Sequence, residues 1–256
     1  MLDLFFISHK IVVANKLKQE MAKLISVCTQ KGGVGKTTLT MLLATYYHTT
    51  IGKPVTVIDA DFPQHSFDAT RRSELASVQN DEELQSLYVT LYPEMNREMY
   101  KVYRGSLEEL AMFLAGLKEK GDDELVFIDM PGSMNVKGFD RVASQLDYII
   151  LPMEADKMTF TAGLQTLDLF DKFREAKGAT YKLFMLWNKY KKSESPSLMD
   201  GIETIVRERG NVQILKYRVS DSVSWKRERS TLFPSDKIRG LAEELTKELS
   251  IKQTVA

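Results

Sequence analysis

The sequence is poor in cysteine and histidine and has no surplus of charge. One cysteine, Cys28, in 256 residues excludes an internal disulfide framework and a cluster held by paired cysteines, and it suits a reducing, cytoplasmic setting. The three histidines, His9, His48 and His65, are scattered and lack the spacing of zinc ligands. Basic and acidic residues balance at 35 each, so any surface for an anionic polymer must be a local patch. No stretch reaches the ~18 apolar residues of a membrane span. The opening Met1–Ser8 is apolar but short, has no basic region before it and is interrupted by His9 and Lys10, which speaks against a signal peptide.

What is present is an ordinary apolar fraction of 43% and charged fraction of 27%, enough to build one large core. The chain is organised around Gln30-Lys31-Gly32-Gly33-Val34-Gly35-Lys36-Thr37-Thr38. An apolar run, Leu24–Thr29, precedes it. A helical pattern of Leu39, Leu42, Leu43, Tyr46 and Tyr47 follows. Strand, glycine loop and helix are the context of a phosphate-binding loop. Three glycines in four positions let successive N–H groups of Gly32, Gly33, Val34 and Gly35 point at one anion. The helix start near Lys36, with Thr37 and Thr38, adds its positive end. Lys36 reaches the β- and γ-phosphates of a nucleotide, and the Thr37 hydroxyl can ligate Mg²⁺. A glycine-rich turn that binds nothing is the plainer alternative, but loop, Gly-Lys-Thr and flanking elements agree.

The loop departs from the common pattern. Gln30 stands where a glycine is usual, and a second lysine, Lys31, follows it. Lys-Gly-Gly-x-Gly-Lys-Thr resembles the deviant phosphate loop of the ParA/MinD class of ATPases. That resemblance covers about residues 22–250. It implies ATP and Mg²⁺ as cofactors, and Lys31 as the lysine that reaches the nucleotide of a partner subunit. Members usually begin just before the first strand. Residues 1–21 are therefore an N-terminal extension, either genuine or a product of start-codon choice, and residues 22–256 read as a single ATPase domain.

Val55–Asp61 is a β-branched strand ending in Asp59 and Asp61. A continuous apolar run suits a strand buried on both faces, and carboxylates at its end sit where open α/β sheets bind ligands. Phe62-Pro63-Gln64-His65 resembles the family's Asp-x-Asp-Pro-Gln switch with Phe62 as an extra residue. The resemblance makes Asp61 the residue beside the attacking water and gives Asp59 a supporting place near Mg²⁺. Residues 66–104 are charged, mixed in pattern and helical in pieces, and no chemistry is assigned to them. Ser106-x-x-Glu109 is a capping box. Leu110, Phe113, Leu114 and Leu117 form one helical face, with Gly121 as terminator. Leu125–Asp129 is the next strand, and Asp129 at its end would hold Mg²⁺ through water. Gly132 leaves room for a backbone N–H at the γ-phosphate.

Tyr148–Pro152 and Leu183–Lys189 read as further buried strands, with a helix ending at Gly178 between them. Asn188 matches the family asparagine that hydrogen-bonds adenine; a turn asparagine is the alternative. A helix from about Leu198 to Arg209 leads to Val212–Leu215. Beyond it stand Lys216, Arg218, Lys226, Arg227 and Arg229 against Asp221 and Glu228, with Trp225 among the charges. By resemblance to the ParA branch these cations contact DNA without sequence preference; a solvated surface is the alternative. The last helix, Asp236–Ser250, carries Ile238, Leu241, Leu245 and Leu249 on one face and mixed charge on the other, unlike a membrane-targeting helix.

The expected fold is α/β: a doubly wound, mostly parallel sheet with helices on both faces, a P-loop NTPase of the SIMIBI kind. The resemblance, which extends to ParA-type proteins of plasmids and conjugative elements of Bacteroides-like bacteria, implies an ATPase. It would dimerise with ATP, bind DNA non-specifically on the nucleoid and answer to a ParB-like or transfer-protein partner in plasmid partition or element maintenance. The competing expectations are a MinD-like membrane-positioning ATPase and an ATP-dependent small-molecule synthetase; Lys31 weighs against the second.

Overall fold

The computed structural model describes residues 21–94, 98–119 and 123–251. The N-terminal extension, apart from Met21, and the expected terminator Gly121 lie outside the described residues. In chain order the elements are β1 (Lys23–Val27), α1 (Lys36–Thr49), β2 (Val55–Asp59), α2 (Ser66–Asn80), α3 (Glu82–Glu94), β3 (Lys101–Arg104), α4 (Leu107–Glu119) and β4 (Leu125–Asp129). They continue with α5 (Phe139–Ala143), β5 (Tyr148–Met153), α6 (Lys157–Lys177), β6 (Lys182–Tyr190), α7 (Pro196–Glu208), β7 (Val212–Ser220), α8 (Ser224–Arg227), a 3₁₀ turn (Asp236–Ile238) and α9 (Arg239–Glu248).

The strands form one sheet in the order β3-β2-β4-β1-β5-β6-β7, parallel at every described pairing. The chain winds outward from β1 to β3, returns to place β4 between β2 and β1, then winds the other way. That reversal leaves a crevice at the carboxyl ends of β1 and β4, where doubly wound sheets bind ligands.

Each central strand is apolar on both faces because helices cover both. Successive side chains alternate between two cores. Leu24, Val126, Ile128, Ile149, Leu151, Leu183 and Met185 pack toward α4, α5, α6 and α7. Ile25, Val27, Val57, Phe127, Ile150, Phe184 and Leu186 pack toward α1 and α9. α1 is enclosed on almost every side, so its buried polar atoms are spent on other elements: Thr45 donates to the Ser230 carbonyl at 2.9 Å and Tyr47 to that of Ala242 at 2.9 Å. Helix ends follow local chemistry. Ser106 and Glu109 bond reciprocally ahead of α4. Asp156 caps α6, which ends on Gly178 in the left-handed region at φ 64°.

Four expectations change. Residues 66–104 hold two helices and then a strand, β3. It is a short edge strand with exposed Lys101, Tyr103 and Arg104, so it carries no apolar run to read. Phe113 is exposed rather than part of the buried face of α4; Leu107, Leu110 and Leu114 form that face, and Phe113 falls beyond it, over the short edge strand. β7 runs on to Ser220, so Lys216 and Arg218 stand on a strand. Trp225 is buried against the second core, its Nε1 donating to Ser220 Oγ at 3.2 Å.

Candidate functional site

The phosphate loop leaves β1 and enters α1 through two glycines in the left-handed region, Gly33 at φ 74° and Gly35 at φ 86°, where a side chain would be strained. Gly35 caps α1 without a side-chain bond, and the first turn holds no acidic residue. The opening N–H groups and the positive end of the helix are thus left for an anion. Lys36 is buried and its Nζ donates to the Lys31 carbonyl at 3.3 Å. A Cβ on Gly132 would come within 3.3 Å of that Nζ, so the glycine after β4 lets the second switch lie against the lysine.

Parallel register sets Asp59 directly opposite Asp129 on β2 and β4. Both are fully buried, but their surroundings differ. Asp59 accepts from the backbone N–H of Asp61 at 3.2 Å and of Asp68 at 2.9 Å, and His65 Nδ1 lies 3.5 Å away. Its carboxylate therefore folds the turn that presents Asp61. Asp129 is the reverse case, with both carboxylate oxygens buried and without a hydrogen-bond partner among the described residues. Burial pushes its pKa up to about 7, opposed by the neighbouring Thr37 hydroxyl. An orphaned carboxylate facing a hydroxyl fits a Mg²⁺ site completed by phosphate and water. No cluster of three or more His, Cys, Asp or Glu offers a metal cage among the described residues. Burial, and then the charge of Asp59, raise Asp61 above the usual carboxylate range, while Lys36 and His65 oppose the shift. Phe62 is exposed and packs edge-on against the His65 ring at 5.8 Å.

Lys36, Thr37, Thr38, Asp61, Gly132 and Gln64 line one cavity of about 440 Å³. A larger cavity of about 920 Å³ lies between β2, β3 and α4. It is apolar and has no phosphate loop, so the chemistry belongs to the smaller one.

Asn188 ends up behind the loop, its Nδ2 donating to the Val34 carbonyl at 2.5 Å. Lys189 beside it escaped the sequence reading. Its Nζ donates to the Gly33 carbonyl at 3.0 Å and pairs with Glu154 at 2.8 Å; its place next to a strand-end asparagine was the one available signal. Lys31 Nζ donates to Thr159 Oγ1 at 2.5 Å and lies 3.8 Å from Asp156, so the first turn of α6 holds it within its own chain.

The expected DNA contacts divide. Lys216 and Arg218 are exposed on β7; Arg218 lies over the Tyr190 ring at 5.2 Å and 3.9 Å from Glu203. Arg227 is exposed on α8, and the Lys226 side chain lies outside the described residues. Arg229 is exposed too, and it also lines the phosphate cavity with Lys36 and Thr37.

Among solved structures, the ATP complex of a Cyanothece McdA variant is similar at TM-score 0.63 and 17% identity, over 93% of this chain and 100% of that one. A plasmid partition protein from Borrelia burgdorferi is similar at 0.58 and 20%, over 89% and 99%. The ParA of pNOB8 bound to nonspecific DNA is similar at 0.54 and 19%, over 91% and 100%. At these identities the likeness is one of fold. No curated protein matches the chain. The family model described as the CobQ/CobB/MinD/ParA nucleotide binding domain matches residues 25–231, and the chain, with its two-lysine phosphate loop at the switch point of a parallel sheet, belongs to that family.

Proposed function

We propose that the chain is an ATPase that dimerises with ATP, binds DNA without sequence preference, and serves plasmid partition or the maintenance of a conjugative element with a ParB-like or transfer-protein partner. The observation that carries this reading is the assembly of Lys31, Lys36, Asp61 and the unpartnered Asp129 around one phosphate loop. Lys36 and the loop N–H groups bind the phosphates, and Asn188 stands on the adenine side. Thr37 and Asp129 would hold Mg²⁺, with Asp59 supporting from the next strand; bound there, the metal would supply positive charge at the phosphates. Asp61 accepts a hydrogen bond from the water that attacks the γ-phosphorus and orients it as ADP leaves. Lys31 breaks from Thr159 and Asp156 to reach the partner subunit's nucleotide. Lys216, Arg218, Lys226 and Arg227 meet DNA phosphates.

One feature favours DNA over membrane: Leu241, Leu245 and Leu249 of the last helix are spent on the core. The test is gel shift on two unrelated duplexes, with ADP and with a slowly hydrolysed ATP analogue, beside light scattering. Binding to both duplexes in the ATP state alone is expected. A protein that dimerises with the analogue but binds neither duplex rejects the DNA role; flotation with anionic liposomes would then favour the MinD-like role, and turnover with a metabolite the synthetase.

A further inference from the structure

One cation that sequence order groups with a DNA patch is exposed and also lines the nucleotide cavity. Arg229 lines the same space as Lys36, Thr37, Asp61 and Gly132. Those residues come from the phosphate loop and from the ends of β2 and β4, the three places that surround the last phosphate in this fold. Asn188, on the base side, does not line it. We propose that Arg229 is a ligand of the terminal phosphate of the bound nucleoside triphosphate, supplied by the chain's own C-terminal segment. The proposal rests on the nucleotide reading above and withdraws Arg229 from the DNA patch.

Three observations support it beyond position. The backbone just after Arg229 is tightly anchored. Thr45 donates to the Ser230 carbonyl at 2.9 Å. Buried Arg71 bonds Thr231 Oγ1 at 2.8 Å, the Thr231 carbonyl at 2.9 Å and the Tyr100 carbonyl at 3.0 Å. Glu74 accepts from the Thr231 N–H at 2.9 Å, and Tyr92 donates to the Leu232 carbonyl at 2.8 Å. Such a segment needs no backbone ordering to present the Arg229 side chain to a ligand. Second, the Arg229 side chain makes no hydrogen bond or ion pair among the described residues, whereas Arg218 on β7 is engaged with Tyr190 and Glu203. Third, two cations, Lys36 and Arg229, line a small cavity with one carboxylate, Asp61; a phosphate group suits the surplus of positive charge, and a guanidinium fork matches two of its oxygens at once.

The experiment measures binding of AMPPNP and of ADP, each with Mg²⁺, to wild-type protein and to Arg229→Ala, Arg229→Lys and the exposed control Lys192→Ala, at concentrations where light scattering shows monomer. Thermal melting checks the fold. Loss of one charge-assisted contact should raise the Kd of Arg229→Ala for AMPPNP about tenfold or more, and for ADP less than about threefold. Arg229→Lys should recover part of the affinity, and Lys192→Ala should match wild type. Wild-type affinity for both nucleotides in Arg229→Ala overturns the proposal; if its gel shift is also lost, Arg229 belongs to DNA. An equal loss for AMPPNP and ADP overturns it too, because the contact would then not be to the last phosphate. A wild-type protein that binds neither nucleotide removes the phosphate-loop reading itself, and this proposal with it.

Discussion

At the residue scale, burial decides what each titratable group can do. Lys36 is the buried cation of the phosphate loop, held by the Lys31 carbonyl beneath Gly132. Lys36→Ala should weaken ATP binding by roughly 10–100-fold, the cost of one charge-assisted phosphate contact; titration calorimetry would read it, and an unchanged affinity would remove the loop from the nucleotide site. Cys28 at the end of β1 is fully buried, and burial pushes its thiol up to about 12. The thiolate is the reactive form, and far below that pKa almost none is present. Iodoacetamide at pH 8 should therefore leave Cys28 unmodified in the native protein and alkylate it in urea, as counted by intact mass. Rapid native labelling would contradict its burial. The positions of the loop residues, of Asp59 and Asp129 at strand ends and of Asn188 near the end of β6 were legible because each lies at or just beyond an apolar run. Sequence alone groups Arg229 with the cations beside it, whereas in the structure it lines one cavity with Lys36 and Thr37.

At the element scale, α6 has a part that its sequence does not announce. Asp156 caps the helix by accepting from the N–H groups of Met158 and Thr159 at 3.0 Å, and the same carboxylate with Thr159 holds Lys31. Reaching across a dimer would cost Lys31 these half-buried contacts. Lys31→Ala should leave monomer affinity for ATP within about threefold of wild type and weaken ATP-dependent dimerisation more than tenfold. Analytical ultracentrifugation with the slowly hydrolysed analogue checks this, and a mutant that dimerises like wild type removes the reason to give Lys31 an intersubunit task. Strongly apolar strands were legible at this scale. β3 was not, since an edge strand with one covered face needs no apolar run. Phe113 has helical spacing from Leu110, yet the sheet beneath is too narrow to cover it.

At the scale of the whole molecule, balanced charge makes DNA affinity a question of arrangement. With Arg229 assigned to the nucleotide as proposed, about three or four cations per subunit remain on and after β7. The slope of log K against log[salt] should be roughly −3 per subunit, doubled in a dimer. Charge reversal at Lys216, Arg218 and Arg227 together should abolish the gel shift and keep ATP-dependent dimerisation. Such a variant binding with an unchanged salt slope would move the DNA surface elsewhere.

The chain's own order of residues determined the doubly wound sheet, the phosphate loop and the strand-end aspartates, because those depend on local periodicity, turn chemistry and short spacings. Tertiary structure alone decided which carboxylate is free. Asp59 and Asp129 end similar strands, but the turn after β2 folds back to bond Asp59, and the path after β4 leaves Asp129 bare beside Thr37. It also decided that Arg229 lines one cavity with the phosphate loop, since long-range bonds from Thr45, Arg71, Glu74 and Tyr92 hold residues 230–232 against α1, α2 and α3.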